Sequence, residues 1–161
     1  MRRVIAVIRE PRPADAETIA ALHVATWRET YGHLLSDDFF GDEVVGRRRR
    51  MWTQILTKPR REDVVRVAEA DGELVGFAMS GITDGGMPQL YMLYVAAEHH
   101  GTGVGQRLFD GVLPPGPAVL WVAKENPRAI AFYRRNAFIV DGAEQTDPGT
   151  PGIVEARMVR A

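Results

Sequence analysis

Residues 90–109 read LYMLYVAAEHHGTGVGQRLF, and the order of the fold follows from them. Leu90-Tyr91-Met92-Leu93-Tyr94-Val95 is apolar or aromatic throughout, the pattern of a strand buried on both faces. Gly101-Thr102-Gly103-Val104-Gly105 follows. Beyond it, Val104, Leu108, Phe109, Val112 and Leu113 recur at helical spacing. The order is buried strand, glycine turn, amphipathic helix. The first N–H groups of a helix lack intrahelical acceptors and lie at the positive end of its dipole. Glycines leave room for a phosphate to reach them. The turn is a candidate diphosphate cradle; on its own it reads equally as a tight connection that binds nothing.

Two familiar phosphate loops do not fit. A P-loop ends in Gly-Lys-Ser/Thr, whereas Gly105 is followed by Gln106 and Arg107. The dinucleotide fingerprint G-x-G-x-x-G needs a third glycine that is missing here. The stretch instead resembles motif A of the GNAT superfamily of acetyl-CoA-dependent N-acyltransferases. Leu93-Tyr94-Val95 stands for its L-x-V, and His100-Gly101-Thr102-Gly103-Val104-Gly105 for its Arg/Gln-x-x-Gly-x-Gly/Ala. His100 departs from the usual Arg or Gln.

A second motif lies downstream. In Asn126-Pro127-Arg128-Ala129-Ile130-Ala131-Phe132-Tyr133, positions 126, 129, 130 and 133 share one helix face. Taken alone, Asn126 reads as an N-cap and Tyr133 as a core aromatic. The segment LWVAKENPRAIAFYRRNAF also resembles GNAT motif B, N-x-x-A-x-x-F-Y, at the expected distance from motif A. Ala137 stands where that family commonly has Gly.

The resemblance implies a GNAT-like α/β (α+β) fold: a mixed, mostly antiparallel sheet of about seven strands flanked by about four helices. It implies acetyl transfer from acetyl-CoA, as co-substrate and without a metal, to a primary amine of a small molecule or peptide. The backbone N–H of Leu93 would stabilise the developing oxyanion. Tyr94 and Val95 would border the pantetheine arm, with Val95 pairing to its amides. His100, Gly101, Thr102, Gly103, Val104, Gly105 and Gln106 would form the diphosphate loop. Asn126 would bond the arm, and Tyr133 would protonate the leaving thiolate, a phenol of ordinary pKa about 10 being matched to that task. The competing readings are a catalytically silent acyl-CoA-binding module, favoured by Gln89 where relatives often carry an acid, and a nucleotide-binding protein, disfavoured by the missing Lys.

With 161 residues, the chain is sized for a single domain spanning 1–161. Its 45% hydrophobic and 25% charged residues suit a water-soluble globular protein, and the net charge of -1 gives no basic excess for nucleic acid or an anionic membrane. The absence of cysteine excludes disulfides and a thiol nucleophile. No apolar run is long enough to span a bilayer, so a cytoplasmic location is expected. The oligomeric state stays open, a homodimer included.

In chain order the pattern predicts a strand over 4–8 and a helix capped by Asp15 and broken at Gly32. A second helix, capped by Ser36 or Asp37, should run to about Leu56. Arg47-Arg48-Arg49-Arg50 reads as a solvated face. Strands at 64–70 and 74–79 flank an Asp71-Gly72 hairpin turn. A strand at 118–123, a helix from Asn126 to about Asn136, and closing strands at 138–140 and 154–159 follow, with a mobile Pro/Gly-rich loop at 146–152. The acceptor should meet the early helices: Trp27 and Tyr31 are candidates for its pocket wall, although such aromatics are more often core. Glu29, His33, Asp84 and Glu98 are candidate bases, with Glu29 also a candidate substrate contact and a water chain an equal alternative. Adjacent His99 and His100 read as loop residues, not as metal ligands.

Overall fold

The computed structural model describes residues 5–147, 150 and 152–161. Its strands are β1 (Val7–Arg9), β2 (Val64–Ala70), β3 (Glu73–Ile82), β4 (Pro88–Val95), β5 (Ala118–Ala123), β6 (Ile139–Thr146) and β7 (Val154–Arg160). The helices are α1 (Ala16–Tyr31), α2 (Asp42–Thr57), α3 (Val104–Val112) and α4 (Pro127–Arg135). One sheet runs in the order β1-β2-β3-β4-β5-β7-β6. Every neighbouring pair is antiparallel except β4 and β5. This is the mixed, mostly antiparallel sheet with four helices that the sequence predicts.

Local chemistry explains the joints. Asp71 and Gly72 both take positive φ, 50° and 81°, the requirement of a tight turn between twisted strands. Asn126 Oδ1 accepts the Ala129 N–H at 3.1 Å and Pro127 fills the first helical position, so α4 starts where the cap predicts. The apolar stripe of α3 buries Val104, Leu108, Phe109 and Val112, worth about 1.5–3 kcal/mol for each large side chain. A Cβ on Gly76 would lie 2.9 Å from both Leu108 Cδ1 and the Tyr94 carbonyl oxygen, so glycine lets α3 settle this close to the sheet. Leu93, Val95 and Tyr133 join the core under α3 and α4. Met92 and Tyr94 join Trp52 and Phe77 on the opposite face, under α1 and α2.

Several elements differ from expectation. β1 starts at Val7 because its partner β2 ends at Ala70, one residue beyond the Val7↔Glu69 pair; Val4 lies outside the described residues. Asp15 does not cap α1, since its carboxylate accepts from the Arg9 guanidinium and the Arg12 N–H. Those bonds, Arg9 first, hold it below the usual carboxylate range. Ser36 precedes a short 3₁₀ turn, Asp37–Phe40, and α2 begins only after Gly41. β6 reaches Thr146 through an irregularity at 141–143. The expected loop is thus shorter, and residues 148, 149 and 151 of it lie outside the described set. Ala137 adopts φ 70°, a conformation that costs a side-chain-bearing residue about 1–2 kcal/mol and explains why glycine suits this position.

Candidate active site

β4 and β5 pair only at Gln89↔Val119 and Leu90↔Leu120, while β4 stays paired with β3 through Val95. A bulge accompanies the parting. Met79 pairs with Met92 and Ser80 with Leu90, leaving Tyr91 as the extra residue on β4. Bulges bend a strand and increase its twist. From Met92 onward the β5-facing edge of β4 has no strand partner, and a cleft of about 470 Å³ opens there. Leu93, Tyr94 and Val95 line it. β4 is therefore half-buried past Leu90: both of its faces pack against core, but the edge that β5 would cover is open.

The glycine turn lies at the mouth of the cleft. Gly101 and Gly103 have φ 76° and 87°, and nothing lies within 4 Å of where a Cβ would project. Gly103 is the N-cap of α3. Among the described residues, no backbone acceptor meets the N–H groups of residues 101–106. Gly101, Gly103, Gly105 and Gln106 line the cleft. Thr102 and Val104 do not: the Thr102 hydroxyl donates to the His99 carbonyl at 2.6 Å, and Val104 is buried beneath α3. Gln106 and Asn136 exchange amide bonds of 2.8 and 3.1 Å, tying α3 to the end of α4. His100 Nε2 contacts the Val95 carbonyl oxygen at 2.8 Å, and Arg128 Nη1 meets its Nδ1. A carbonyl only accepts and a guanidinium only donates, so this ring is neutral with its proton on Nε2.

Two helices bring phenols to the same opening. Tyr133 of α4 is 8% exposed and lines the cleft, and its hydroxyl has no hydrogen-bond partner among the described residues. Burial raises its pKa above the ordinary phenol value, and the nearby Tyr94 and Tyr31 add to the rise. Tyr31 of α1 receives the Asn126 Nδ2–H at 3.4 Å and lies 4.9 Å, ring to ring, from Trp27. Trp27 and Tyr31 both line the cleft. The Trp27 Nε1–H is buried without a hydrogen-bond partner; it lies near enough to Tyr94 to favour that phenol's ionised form slightly, against the larger opposing effect of burial. Beneath them, His23 Nδ1 accepts the Trp52 indole N–H at 3.2 Å. Burial, and then the Arg48 charge, lower the His23 pKa to about 3.

Of the candidate bases, none of Glu29, His33, Asp84 and Glu98 lines the cleft. Glu29 instead accepts the Ala97 N–H at 2.9 Å, pinning α1 to the segment after β4. The carboxylates that do line it are Asp147 and Glu155. Glu155 was legible in principle, since it shares the period-two phase of buried Ile153. The arginine run is not uniformly solvated: Arg47, Arg49 and Arg50 are exposed, but Arg48 is half-buried, its Cζ 6.0 Å from the Trp27 ring centroid. Its phase, one turn before buried Trp52, carried that signal.

The sequence matches the acetyltransferase (GNAT) family model over residues 17–138. The chain belongs to the GNAT family of acetyltransferases. A probable N-acetyltransferase of Mycobacterium tuberculosis is 30% identical over 143 residues, covering 84% of this chain and 80% of that protein. An uncharacterized N-acetyltransferase of Bacillus subtilis is 29% identical over 138 residues, covering 79% and 76%. The GNAT fold is shared with the PaiA N-acetyltransferase of Thermoplasma acidophilum, solved in complex with coenzyme A. That structure has a TM-score of 0.76 at 21% identity, over 97% of this chain and 98% of the other. Arabidopsis thaliana NAA60, solved with a bisubstrate analogue, gives 0.64 at 18% identity over 96% and 97%.

Proposed function

We propose that this GNAT acetyltransferase moves the acetyl group of acetyl-CoA to an amine of a small molecule or peptide by direct attack in a ternary complex. The observation that carries this reading is that, among the described residues, the edge of β4 past Leu90 is unpaired and runs into a turn whose N–H groups meet no backbone acceptor. A pantetheine arm supplies the missing strand partner, and a diphosphate supplies acceptors for the turn. Arg128 and Arg135, which also line the cleft, suit the phosphates electrostatically, and the His99 and His100 rings lie beside them. Asn126 and Gln106 present amides beside the same path.

Bound acetyl-CoA supplies an activated acyl carbon and a thiolate leaving group. The Leu93 N–H is assigned to the developing oxyanion. Val95 is assigned to the arm's amides; His100 holds the Val95 carbonyl in the described structure, a contact an incoming amide has to replace. Tyr133 is assigned as proton donor to the sulfur. Its raised pKa keeps it protonated at neutral pH. The burial that weakens it as an acid also disfavours a bare thiolate in the same cleft, so donor and acceptor remain matched.

The test is a two-substrate kinetic study of the purified chain with acetyl-CoA and a set of amines, following release of free CoA thiol. Direct transfer gives intersecting initial-rate lines. Parallel lines, or an acetylated chain by intact mass after acetyl-CoA alone, contradict it, because the absence of cysteine leaves no thiol to form an acyl-enzyme.

A further inference from the structure

The cleft passes through the sheet, and its two faces carry opposite charge. On the α3/α4 face stand the Arg128 and Arg135 guanidinium groups already assigned to phosphate. On the α1 face, the lining includes Trp27, Tyr31, Asp147 and Glu155, with Tyr31, Ile153 and Ala123 packed together as the floor. No other carboxylate lines the cleft among the described residues. Glu155 sits opposite Ala123 at the end of β5 and, among the described residues, its side chain takes one hydrogen bond, from Gln145 Nε2 to its Oε1 at 3.2 Å. That leaves Oε2 for a ligand.

Independent features mark the same opening as built for a polar ligand. Tyr133, a residue 8% exposed, lines the cleft, and its hydroxyl has no partner among the described residues. The Trp27 N–H is buried without one. Resting on the acetyl-transfer reading, we propose that the acceptor is a compact cationic amine with no carboxylate of its own, held by its ammonium group at Glu155, and that Glu155 takes the ammonium proton before attack.

Tyr31 from α1 and Tyr94 from β4 feel the Glu155 charge; Tyr133 from α4 and Asp147 beyond β6 line the same cleft, and Arg48 from α2 interacts with Asp147 and Tyr94. Arg48 is the cation of this group. It lies against Trp27 and does not line the cleft, so the surface offered to the acceptor is anionic. A carboxylate on the acceptor beside the amine is therefore repelled.

The protons balance as follows. The ammonium gives one proton to Glu155, leaving a neutral amine. Its lone pair forms the C–N bond as the C–S bond breaks, and Tyr133 gives its proton to sulfur. The nitrogen's surplus proton returns to Tyr133, and Glu155 releases its proton to solvent. Net, a cationic amine and a thioester give an amide, a thiol and one free proton.

The experiment compares 1,4-diaminobutane, glycinamide and glycine as acceptors for the wild-type chain and Glu155→Gln, across pH, with acetyl-CoA affinity measured by calorimetry. The expected order places both cationic probes above zwitterionic glycine by roughly tenfold or more in kcat/KM. Glu155→Gln keeps the Gln145 contact; it should lower kcat/KM for the cationic probes by about 10²-fold or more, with the loss shrinking as rising pH supplies the neutral amine directly. Acetyl-CoA affinity should be unchanged. A preference for glycine over glycinamide, an unaltered pH profile in the variant, or normal acetyl-CoA binding with none of the probes acetylated overturns the proposal and leaves the cofactor assignment intact. Failure of acetyl-CoA to bind the wild-type chain overturns both readings.

Discussion

Replacing Tyr133 by Phe separates catalysis from packing, because the structure predicts opposite signs for the two. The phenol is buried in the core under α3 and α4, where Phe132 and Phe138 pack against its ring, and the substitution leaves that ring in place. The hydroxyl has no hydrogen-bond partner among the described residues, so removing it breaks no bond to them. Burying an unpaired polar group costs about 1–3 kcal/mol, so its loss should leave the unfolding free energy unchanged or slightly raised. If the hydroxyl protonates the departing sulfur, kcat should fall by about 10²–10⁴-fold, equivalent to about 2.7–5.4 kcal/mol of barrier at 1.36 kcal/mol per decade. Acetyl-CoA affinity should move little. The assay is kcat, calorimetric affinity and thermal unfolding on one preparation. A variant that is fully active, or one that loses rate only in step with lost stability, refutes the general-acid role.

Two further outcomes test other parts of the site and core. Gly103→Asp should weaken acetyl-CoA binding by about tenfold or more, an added carboxylate opposing the diphosphate; Gly103→Ala should bind far better than the Asp variant, since space for a Cβ is open and only the φ of 87° is unfavourable. Calorimetry on both decides it, and equal affinities would remove the diphosphate from this turn. His23 predicts acid lability: its folded pKa, near 3, lies below the ordinary value of 6.5, so the unfolded chain binds the extra proton between those values. Its contribution is present above about pH 6.5 and declines on acidification at about 1.36 kcal/mol per pH unit. Denaturant unfolding at pH 7 and pH 5 should show a drop of about 2 kcal/mol, absent in a folded His23→Gln variant.

The parts of the site legible in the sequence are those written within one segment. Asn126-Pro127 starts α4 because cap and ring act on their own helix, and residues 101–105 turn because glycines act on their own backbone. The features that escaped depend on distant partners. Nothing within residues 90–95 announces that β5 stops pairing after Leu120; that follows from the bulge at Tyr91 set against β3. Asp15 looks like a helix cap until Arg9, six residues earlier in the chain, claims its carboxylate. Glu29 reads as a base within an early helix, yet the Ala97 N–H meets it first, and the carboxylates that reach the cleft, Asp147 just after β6 and Glu155 in β7, come from the end of the chain.

The short pairing of β4 with β5 has a mechanical consequence. The sheet behaves as two leaves, β1 to β4 and β5 to β7, hinged at Gln89 and Leu90 and otherwise joined through side chains such as Leu90, Leu120, Phe109 and Phe138. A ligand threaded between the leaves acts as a removable eighth strand, supplying rungs the polypeptide omits. Occupancy then stiffens the whole sheet, and backbone amides on β4 and β5 that exchange through parting of the leaves become the slow ones only while the co-substrate is in place.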